Sequence, residues 1–339
     1  MMTTLDRRMA ATEVQADAAP PSSEAPARVS VIIPNYNHAR FLPRALNAFV
    51  RQSLPPAEII VVNDGSTDNS LEVLTEFARQ HPVIRVLNHD RNLGVVRSMN
   101  RGLELAGSDY VFFSAADDEV RPGLLEHSAR LLQAHPRAGL CSSLSEWRCA
   151  ASGLAWPYGA GMPDQPCYLS PDEMVALGRR GRLAISGPNA VFRKAALAGV
   201  GGWIPELRWF CDLFGAYTVG FRHGICHLPE VLAEFNLDPG SYYHSARGAS
   251  ERREVMDRLL RLLESAPFTD VAPRMRNSGI LGTLGLPMLR VVVGTRAHRE
   301  FLTAAFLRQV ARRTAEVVGR KWFPGWLARW CLRVFYGWG

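Results

Sequence analysis

VSVIIPNYN at residues 29–37 is the stretch that decides the fold. Residues 29–33 are almost all β-branched and Pro34 follows them, which predicts a strand that ends there. The run does not alternate between apolar and polar residues, so we expect helices to cover this strand on both faces. The polar residues Asn35, Tyr36 and Asn37 come directly after it.

Strands and helices then alternate along the chain. The predicted strands are 58–62, 83–87 and 109–113, and the predicted helices are 40–52, one capped by Asp68, 97–106 and one starting at Pro122. In the helix after Asp68, the residues expected to face inward are Leu71, Leu74, Phe77 and Ala78. This alternation predicts an α/β fold with a mainly parallel, Rossmann-like sheet flanked by helices.

The second half of the chain has a weaker pattern. It is irregular after Cys141, with a short strand at 190–192 and a helix at 209–219. After Ser250 the spacing is helical, and the predicted inward residues are Val255, Met256, Leu259, Leu260 and Leu263. We therefore divide the chain into a disordered tail at 1–27, an α/β domain at 28–245 and a helical C-terminal extension at 246–339.

Composition limits the class of protein. The 339 residues include 47% hydrophobic and 21% charged residues, which is typical of a globular chain. The net charge of +7 is either ordinary solubility charge or a sign of attraction to an anionic partner such as a nucleotide or an acidic lipid. The six cysteines form no C-x-x-C pair and no zinc-finger spacing with histidines, and residues 1–26 lack a signal-peptide core, so we expect mostly reduced, buried thiols in a cytoplasmic protein. No Walker A, G-x-G-x-x-G or G-x-S-x-G motif is present, which disfavours P-loop, dinucleotide-binding and hydrolase readings.

Three polar clusters follow predicted strands, at 34–37, 63–66 and Asp117-Asp118. Ligands of open α/β sheets bind at the carboxyl ends of the strands, so these clusters are candidates for a binding site. Asp64 is either an ordinary turn residue or a carboxylate that accepts a hydrogen bond from a base or ribose.

Two further acidic positions each allow two interpretations. Asp117 and Asp118 could hold a divalent cation together with substrate phosphates, or they could cap the helix that starts near Pro122. Asp212 lies among large apolar residues, where burial would raise its pKa and make it a general base; the alternative is an exposed helix face.

The segments 29–37 and 60–68, with Asn92-Leu93-Gly94 and Asp117-Asp118, resemble the opening of family 2 glycosyltransferases with the GT-A fold. The resemblance covers roughly residues 28–245. It implies an inverting transfer of a sugar from a nucleotide-diphosphate sugar to an acceptor hydroxyl.

The resemblance also implies roles for individual residues. The implied nucleotide-sugar-binding residues are Pro34, Asn35, Tyr36, Asn37, Asp64, Gly65, Asn92, Gly94, Ala116, Asp117 and Ser241. Mg²⁺ or Mn²⁺ would bind Asp117, with Asp118 as a second ligand, and Asp212 would be the base, with Glu206 in reserve. The segment 186–189 resembles the loop on the acceptor side. Ala115 replaces the first aspartate of the family's Asp-x-Asp motif.

The C-terminal extension suggests where the protein works. Residues 279–295 are apolar but interrupted by Pro287 and Arg290, so we do not predict a membrane span. Residues 320–330 mix basic and aromatic side chains, which favours peripheral contact with the inner face of the cytoplasmic membrane; the alternative is a helix docked on the catalytic domain. The expected acceptor is a saccharide or a lipid-linked molecule of cell-envelope polysaccharide, glycolipid or glycoconjugate synthesis.

Two other functions compete with this interpretation. A degenerate GT-A module would bind sugar nucleotides without turnover, and Ala115 favours it. A sugar nucleotidyltransferase would carry a Gly-rich basic loop after the first strand, where this chain has residues 34–37. We do not expect nucleic acid binding, because the aromatic residues of the tail are not spread along a basic groove.

Overall fold

The chain folds around one mixed β-sheet, which we describe from a computed structural model covering residues 27–149, 155–159, 161–185, 187–237 and 248–322. The strands are β1 Val29–Asn35, β2 Glu58–Asn63, β3 Ile84–Asn88, β4 Tyr110–Phe113, β5 Glu119–Val120, β6 Leu140–Cys149, β7 Ala155–Tyr158, β8 Cys167–Leu169, β9 Ala190–Arg193 and β10 Ile225–Leu237. The helices are α1 Leu42–Val50, α2 Ser70–Gln80, α3 Val95–Leu105, α4 Leu124–Ala134, α5 Pro171–Arg179, α6 Lys194–Ala198, α7 Cys211–His223, α8 Ala249–Leu263, α9 Ala272–Ser278, α10 Leu286–Gly294 and α11 Ala304–Trp322.

The sheet has a parallel half and a mixed half. Its strand order is β3-β2-β1-β4-β9-β6-β10-β5, and the first four strands are parallel to one another. β9 is antiparallel to both β4 and β6, whereas β10 is parallel to β6. As a result β1, β2, β3, β4, β6 and β10 all end at one edge of the sheet, which we call the carboxyl edge. The predicted α/β architecture is confirmed.

The absence of alternation in β1 has the expected cause, since both faces of the strand are covered. Val31 and Ile33 face one hydrophobic core with α1, and Ile32 faces a second core with α3. The approach of α3 is close, because a Cβ on Gly102 would lie 2.3 Å from Cγ2 of Ile32. Only glycine allows this packing, which sets the start of α3 above the carboxyl edge.

Two expectations for individual elements were wrong. Leu71 is 43% exposed, because α2 buries Ser70 in its first turn together with the predicted Leu74. The stretch after Cys141 is not irregular but holds the long strands β6 and β10. The two strands are hard to recognise from the sequence because β6 carries serine, glutamate and arginine in its outer half and β10 is interrupted by bulges near Val231.

The C-terminal helices pack onto the same core as the sheet. All five predicted inward residues of α8 are buried, and they share a hydrophobic cluster with Ile32 of β1. His298 is 1% exposed and lies between two carboxylates, with Nε2 at 2.9 Å from Asp257 and Nδ1 at 2.7 Å from Glu264. Within the described residues, no helix is both long and apolar enough to cross a membrane.

Candidate active site

An asparagine ladder closes the carboxyl ends of three parallel strands. The register pairs Asn35 of β1 with Asn63 of β2, and Asn63 with Asn88 of β3. Asn35 Nδ2 donates to Asn63 Oδ1 at 3.0 Å, and Asn63 Nδ2 donates to Asn88 Oδ1 at 2.7 Å. Asn35 and Asn63 are buried, so the ladder fixes the point at which the loops leave the sheet.

Asp64 follows β2 and holds a neighbouring loop. Its Oδ1 accepts from Leu93 N at 2.9 Å and its Oδ2 accepts from Gly94 N at 2.8 Å, while His89 Nδ1 lies 2.9 Å from Oδ1. The residue is 2% exposed. A carboxylate has about four acceptor positions, so these contacts use most of them. Asp64 is therefore more than a turn residue, and direct contact of its carboxylate with a nucleoside stays a prediction.

The loop after β1 is tied to the loop after β2. Asn37 has a left-handed φ of 56°, and its Oδ1 accepts from Thr67 N at 2.8 Å and from Asp68 N at 3.3 Å. Asp68 in turn accepts from Ala39 N at 3.1 Å. Tyr36 is 42% exposed at the tip of this pair of loops. The two loops thus form one rigid unit that presents an aromatic ring to solvent.

The acidic pair after β4 does not cap a helix. β5 follows Asp118, and α4 begins only at Leu124 with Gly123 at its N-cap. The capping alternative is therefore wrong. Arg44 of α1 donates to the backbone oxygen of Asp117 at 2.8 Å. Burial, followed by the charge of Asp117, raises the pKa of the Asp118 carboxyl well above its usual value.

Asp212 lies in the first turn of α7, and the structure brings it to the same edge. β9 is antiparallel to β4, so the 3₁₀ turn Gly187–Asn189 that precedes β9 lies beside the carboxyl end of β4. A Cβ on Gly187 would lie 3.2 Å from Asp212 Oδ2, so this turn packs directly on the carboxylate. Burial raises the pKa of Asp212 to about 6, although its Oδ1 accepts from Leu213 N at 2.7 Å.

Glu206, the reserve base, has different surroundings. It is exposed on the 3₁₀ turn Pro205–Phe210, in which Arg208 has a φ of 49°. It lines a cavity of about 260 Å³ together with Arg97, Arg208, Glu251 and Arg258. Desolvation tunes a carboxylate toward general-base chemistry near neutral pH, and burial raises the pKa of Asp212 in this direction.

The acidic edge fits a metal that is shared with a substrate. Within the described ranges, no three His, Cys, Asp or Glu side chains gather closely enough to hold an ion by themselves. Asp117 and Asp118 are half-buried neighbours, and Mg²⁺ is commonly held by one or two carboxylates plus substrate phosphates. The residues present therefore suit an ion that arrives with a diphosphate.

The comparison with known sequences identifies the family. The profile described as Glycosyl transferase family 2 matches residues 30–200, which are 171 of the 339 residues. The chain belongs to glycosyl transferase family 2. This glycosyltransferase is 37% identical over 232 residues to an uncharacterised glycosyltransferase of Nostoc sp., and the match covers 67% of this chain and 70% of the relative.

Other similar proteins agree with that assignment. An uncharacterised glycosyltransferase of Escherichia coli K12 is 42% identical over 99 residues, which cover 29% of this chain and 28% of the relative's own length. Crystal structures of S. aureus TarS 1–349 with UDP and with UDP-GlcNAc have TM-scores of 0.58 and 0.59 at 18% and 19% identity. Each structural match covers 91% of this chain and 89% of the other. The predicted GT-A fold is confirmed.

Some predicted residues of the glycosyltransferase lie outside the described ranges. These are Ser186, Ser241 and the tail beyond residue 322. Asn92 and Gly94 lie where predicted, since Gly94 N donates both to Asp64 and to Asn92 Oδ1, the latter at 2.9 Å. Ala116, which precedes the acidic pair, is buried in a hydrophobic core, so only its backbone could contact a ligand.

Three contributors to the site were missed in the sequence. Asn88 could have been found, because it is the third asparagine to end a neighbouring strand. His89 could not, because its contact with Asp64 depends on how two loops pack. Arg44 gave no signal either, since it acts on the Asp117 backbone from a helix 73 residues away.

Changing Asp64 to asparagine is expected to release the 92–94 loop of the glycosyltransferase. The amide keeps one acceptor oxygen but places an NH₂ group opposite a backbone N–H, so Leu93 or Gly94 loses its partner. We expect nucleoside diphosphate affinity to fall by about tenfold to a hundredfold, which corresponds to one or two lost charge-assisted hydrogen bonds. Titration calorimetry measures the change. Unchanged affinity would show that the clamp does not shape the donor site.

Proposed function

We propose that the chain is an inverting glycosyltransferase that moves a sugar from a nucleotide-diphosphate sugar to an acceptor hydroxyl. The observation that carries the proposal is the position of a half-buried base candidate, Asp212, at the same carboxyl edge as the Asp64 clamp and the Asp117-Asp118 pair. Family membership supports the sugar chemistry. UDP and UDP-GlcNAc in the structures of S. aureus TarS make a uridine nucleotide the first donor to test.

The proposed reaction follows from these positions. Asp212 takes the proton of the acceptor hydroxyl as the oxygen attacks the anomeric carbon. The bond between that carbon and the phosphate oxygen breaks on the opposite face, so the sugar inverts and a nucleoside diphosphate leaves. Mg²⁺ or Mn²⁺ at Asp117, with Asp118 as a second ligand, would offset the charge of the leaving diphosphate. The loops at 34–37 and 63–66 would hold the nucleoside.

The acceptor and its setting belong to the same proposal. A saccharide or lipid-linked acceptor of the cell envelope would explain a basic, aromatic C-terminal tail, which would bring the enzyme to the inner face of the cytoplasmic membrane. Deleting residues 320–339 tests this, because the shortened protein would then leave the membrane fraction. Persistence of the shortened protein with membranes would assign the contact to another surface.

A second candidate function rests on Ala115. An aspartate at this position would supply another carboxylate to the metal and diphosphate, and its replacement favours a module that binds nucleotide sugars without turning them over. The two functions differ in one measurable property, since only the enzyme consumes its donor.

Binding of nucleoside diphosphates tests the proposed donor site. Thermal shifts of the full chain are measured with UDP, GDP, dTDP and ADP, each with and without Mn²⁺. We expect one base to raise the melting temperature more than the others and Mn²⁺ to increase that shift, because a ligand stabilises the folded state that binds it. No shift with any of them, in protein shown to be folded, would overturn both candidate functions.

The Asp117→Asn variant tests the metal position. It keeps the size of the side chain and removes a negative charge, so we expect the Mn²⁺-dependent part of nucleotide affinity to fall by about tenfold. Glu119→Gln is the matched control, because Glu119 is an exposed carboxylate of β5 two residues further along the chain and is not a proposed ligand, so its loss should leave the Mn²⁺ dependence unchanged. If the nucleotide affinity of the Asp117→Asn protein depends on Mn²⁺ as strongly as that of the wild type, Asp117 is not a metal ligand.

A further inference from the structure

The side-chain amide of Asn100 joins two distant parts of the chain. Its Nδ2 donates to the backbone oxygen of Trp203 at 2.7 Å, and its Oδ1 accepts from the backbone N–H of Trp203 at 2.9 Å. One amide therefore binds both backbone polar groups of a residue that lies 103 positions further along the chain. We call this pair of hydrogen bonds the Asn100 bridge. It is directional, because a shift of either residue would break at least one of the two bonds.

The bridge starts from the element that holds the loop at 92–94. Asn100 lies in α3, and the N-cap of this helix is Gly94. Gly94 N donates to Asp64 Oδ2 at 2.8 Å, so the start of α3 is fixed at the carboxyl edge. Asn100 follows less than two helical turns later, which ties its position to that of the loop.

The bridge ends at a residue that packs on the helix of the candidate base. Trp203 is 2% exposed, and a Cβ on Gly215 of α7 would lie 2.8 Å from Cζ3 of its indole. Asp212 and Gly215 are three positions apart in α7, and residues at this spacing are neighbours on one helix face. The indole therefore lies against the backbone of α7 one turn from Asp212.

The same indole contacts two strands that border the candidate site. Phe113 is the last residue of β4, before the acidic pair, and it meets Trp203 edge-on with ring centroids 5.0 Å apart. Phe192 of β9, the strand that follows the Gly187 turn, meets it edge-on at 5.3 Å. Trp203 is thus packed against α7, β4 and β9, and the bridge holds its backbone to α3.

The backbone before Trp203 is shaped to admit the bridge. Gly202 has a φ of 71°, and a Cβ there would lie 2.8 Å from Asn100 Oδ1. Gly201 has a φ of 87°, but a Cβ there would meet nothing within 4 Å. Both glycines allow the left-handed turn, and only Gly202 also makes room for the amide.

We propose that Asn100 is a positioning residue that fixes, through Trp203, the place of Asp212 relative to the loop at 92–94. The loop and the base belong to different halves of the sheet, and transfer requires the acceptor oxygen to meet the anomeric carbon in one defined geometry. A misplacement of about 1 Å costs on the order of a hundredfold in rate. This inference rests on the proposed transferase function, and Asn100 itself touches neither substrate in it.

A double-mutant cycle in melting temperature tests the link without requiring turnover. The proteins are the wild type, Asn100→Leu, Asp212→Asn and the double variant, all as the full chain. Asp212→Asn should raise the melting temperature of the wild type, because burial disfavours the carboxylate. We expect at least about half of that gain to be lost in the Asn100→Leu background, since independent residues give additive changes and linked ones do not. An unchanged gain would overturn the proposal.

Gly202→Ala breaks the bridge in a second way, so the test does not depend on the folding of Asn100→Leu. Its Cβ displaces Asn100 Oδ1, and the same loss of the Asp212→Asn gain is expected. Gly201→Ala is the matched control, because it carries a similar backbone strain without that contact, and it should keep the full gain. Equal gains in the Gly202→Ala and Gly201→Ala backgrounds would contradict the role of the bridge.

Slow hydrolysis of a nucleotide sugar supplies the kinetic readout. Asn100→Leu should lower kcat by at least about tenfold and leave the KM of the donor within about twofold, because Asp64 still holds the loop at 92–94. Asn100→Asp keeps an acceptor for the Trp203 N–H and should recover part of kcat.

Two kinetic results would have different meanings. A raised KM with unchanged kcat in Asn100→Leu would assign Asn100 to donor binding and overturn the proposal. Failure of the wild type to consume any nucleotide sugar would instead contradict the proposed function, and the melting-temperature cycle would still decide whether Asn100 positions Asp212.

Discussion

Asp212→Asn is expected to abolish sugar transfer and, at the same time, to raise the melting temperature. The wild-type carboxylate is ionised at neutral pH in a position where burial raises its pKa to about 6 from 3.8. An asparagine has the same shape and no charge to desolvate. The gain in folding free energy at neutral pH should be on the order of 3 kcal/mol, because each pKa unit is worth about 1.4 kcal/mol.

The effect on stability has a defined pH dependence. The raised pKa means that the protonated form fits the fold better, so the stability linked to this group is fully present below about pH 3.8 and is lost as the pH rises through about 6. The advantage of Asp212→Asn should therefore be largest above pH 6 and should shrink toward pH 4. Thermal unfolding of the two proteins across this range measures it.

Asp212→Asn should lower the catalytic rate although it raises the stability. A general base contributes roughly a hundredfold to ten-thousandfold to a rate, and the amide cannot accept the proton of the acceptor. Nucleoside diphosphate binding should be unchanged, because Asp212 holds no part of the donor. In the wild type, the activity should fall on the acidic side with a midpoint near the Asp212 pKa of about 6.

Glu206→Gln is the control for this prediction. Glu206 is exposed, so its replacement should leave both the acidic limb and the melting temperature close to those of the wild type. Near-normal turnover by Asp212→Asn together with an inactive Glu206→Gln would assign the base to Glu206.

Gly65→Ala is expected to destroy the donor site by displacing the loop opposite it. Gly65 has a φ of 67°, and a Cβ there would lie 2.4 Å from the carbonyl carbon of Arg91. That atom belongs to the backbone, so no side-chain rotation relieves the clash. Moving the loop would pull the N–H groups of Leu93 and Gly94 away from Asp64. We expect nucleoside diphosphate affinity to drop by at least about tenfold, with a loss of stability of at least 1–2 kcal/mol.

Gly201→Ala separates the clash from the backbone strain. Gly201 also has a left-handed φ, 87°, but a Cβ there would meet nothing within 4 Å. It should share the cost of the left-handed conformation, about 1 kcal/mol, and keep full nucleotide affinity. Calorimetric titration of both variants with a nucleoside diphosphate compares their affinities. Equal affinities would show that the Gly65 contact does not support the donor site.

The first half of the fold could be predicted from the sequence because its signals are local. Each strand from 29 to 113 is a short apolar run ended by a turn residue, and the alternation with helices implies a parallel sheet. The same logic placed Asn35, Asp64 and Asp117 at one edge. The same reasoning did not predict β6 and β10. The outer halves of these two strands are extended because they pair with each other rather than because of their composition.

The chemistry of the carboxyl edge was harder to predict from the sequence, because it depends on contacts between residues that are far apart in the chain. The sequence could nominate Asp64, but its clamp on Leu93 and Gly94 joins residues about 30 positions apart. The choice between cap and metal ligand for Asp117 depended on β5, a two-residue strand paired with distant β10. The environment of Asp212 depended on the turn at Gly187, which only the antiparallel β9 brings into contact.

The most direct test of the proposed function is to follow nucleotide sugars by NMR in the presence of the wild-type full chain and Mn²⁺. Water can replace the acceptor in a slow reaction, so no acceptor needs to be known. We predict that one of the nucleotide sugars, for example UDP-GlcNAc, releases its nucleoside diphosphate and that the sugar first appears with the anomeric configuration opposite to that of the donor. A contradictory result would be a nucleotide sugar that binds in the presence of Mn²⁺ but is never consumed, whether or not saccharides are added. That result would rule out the transferase and identify a binding module.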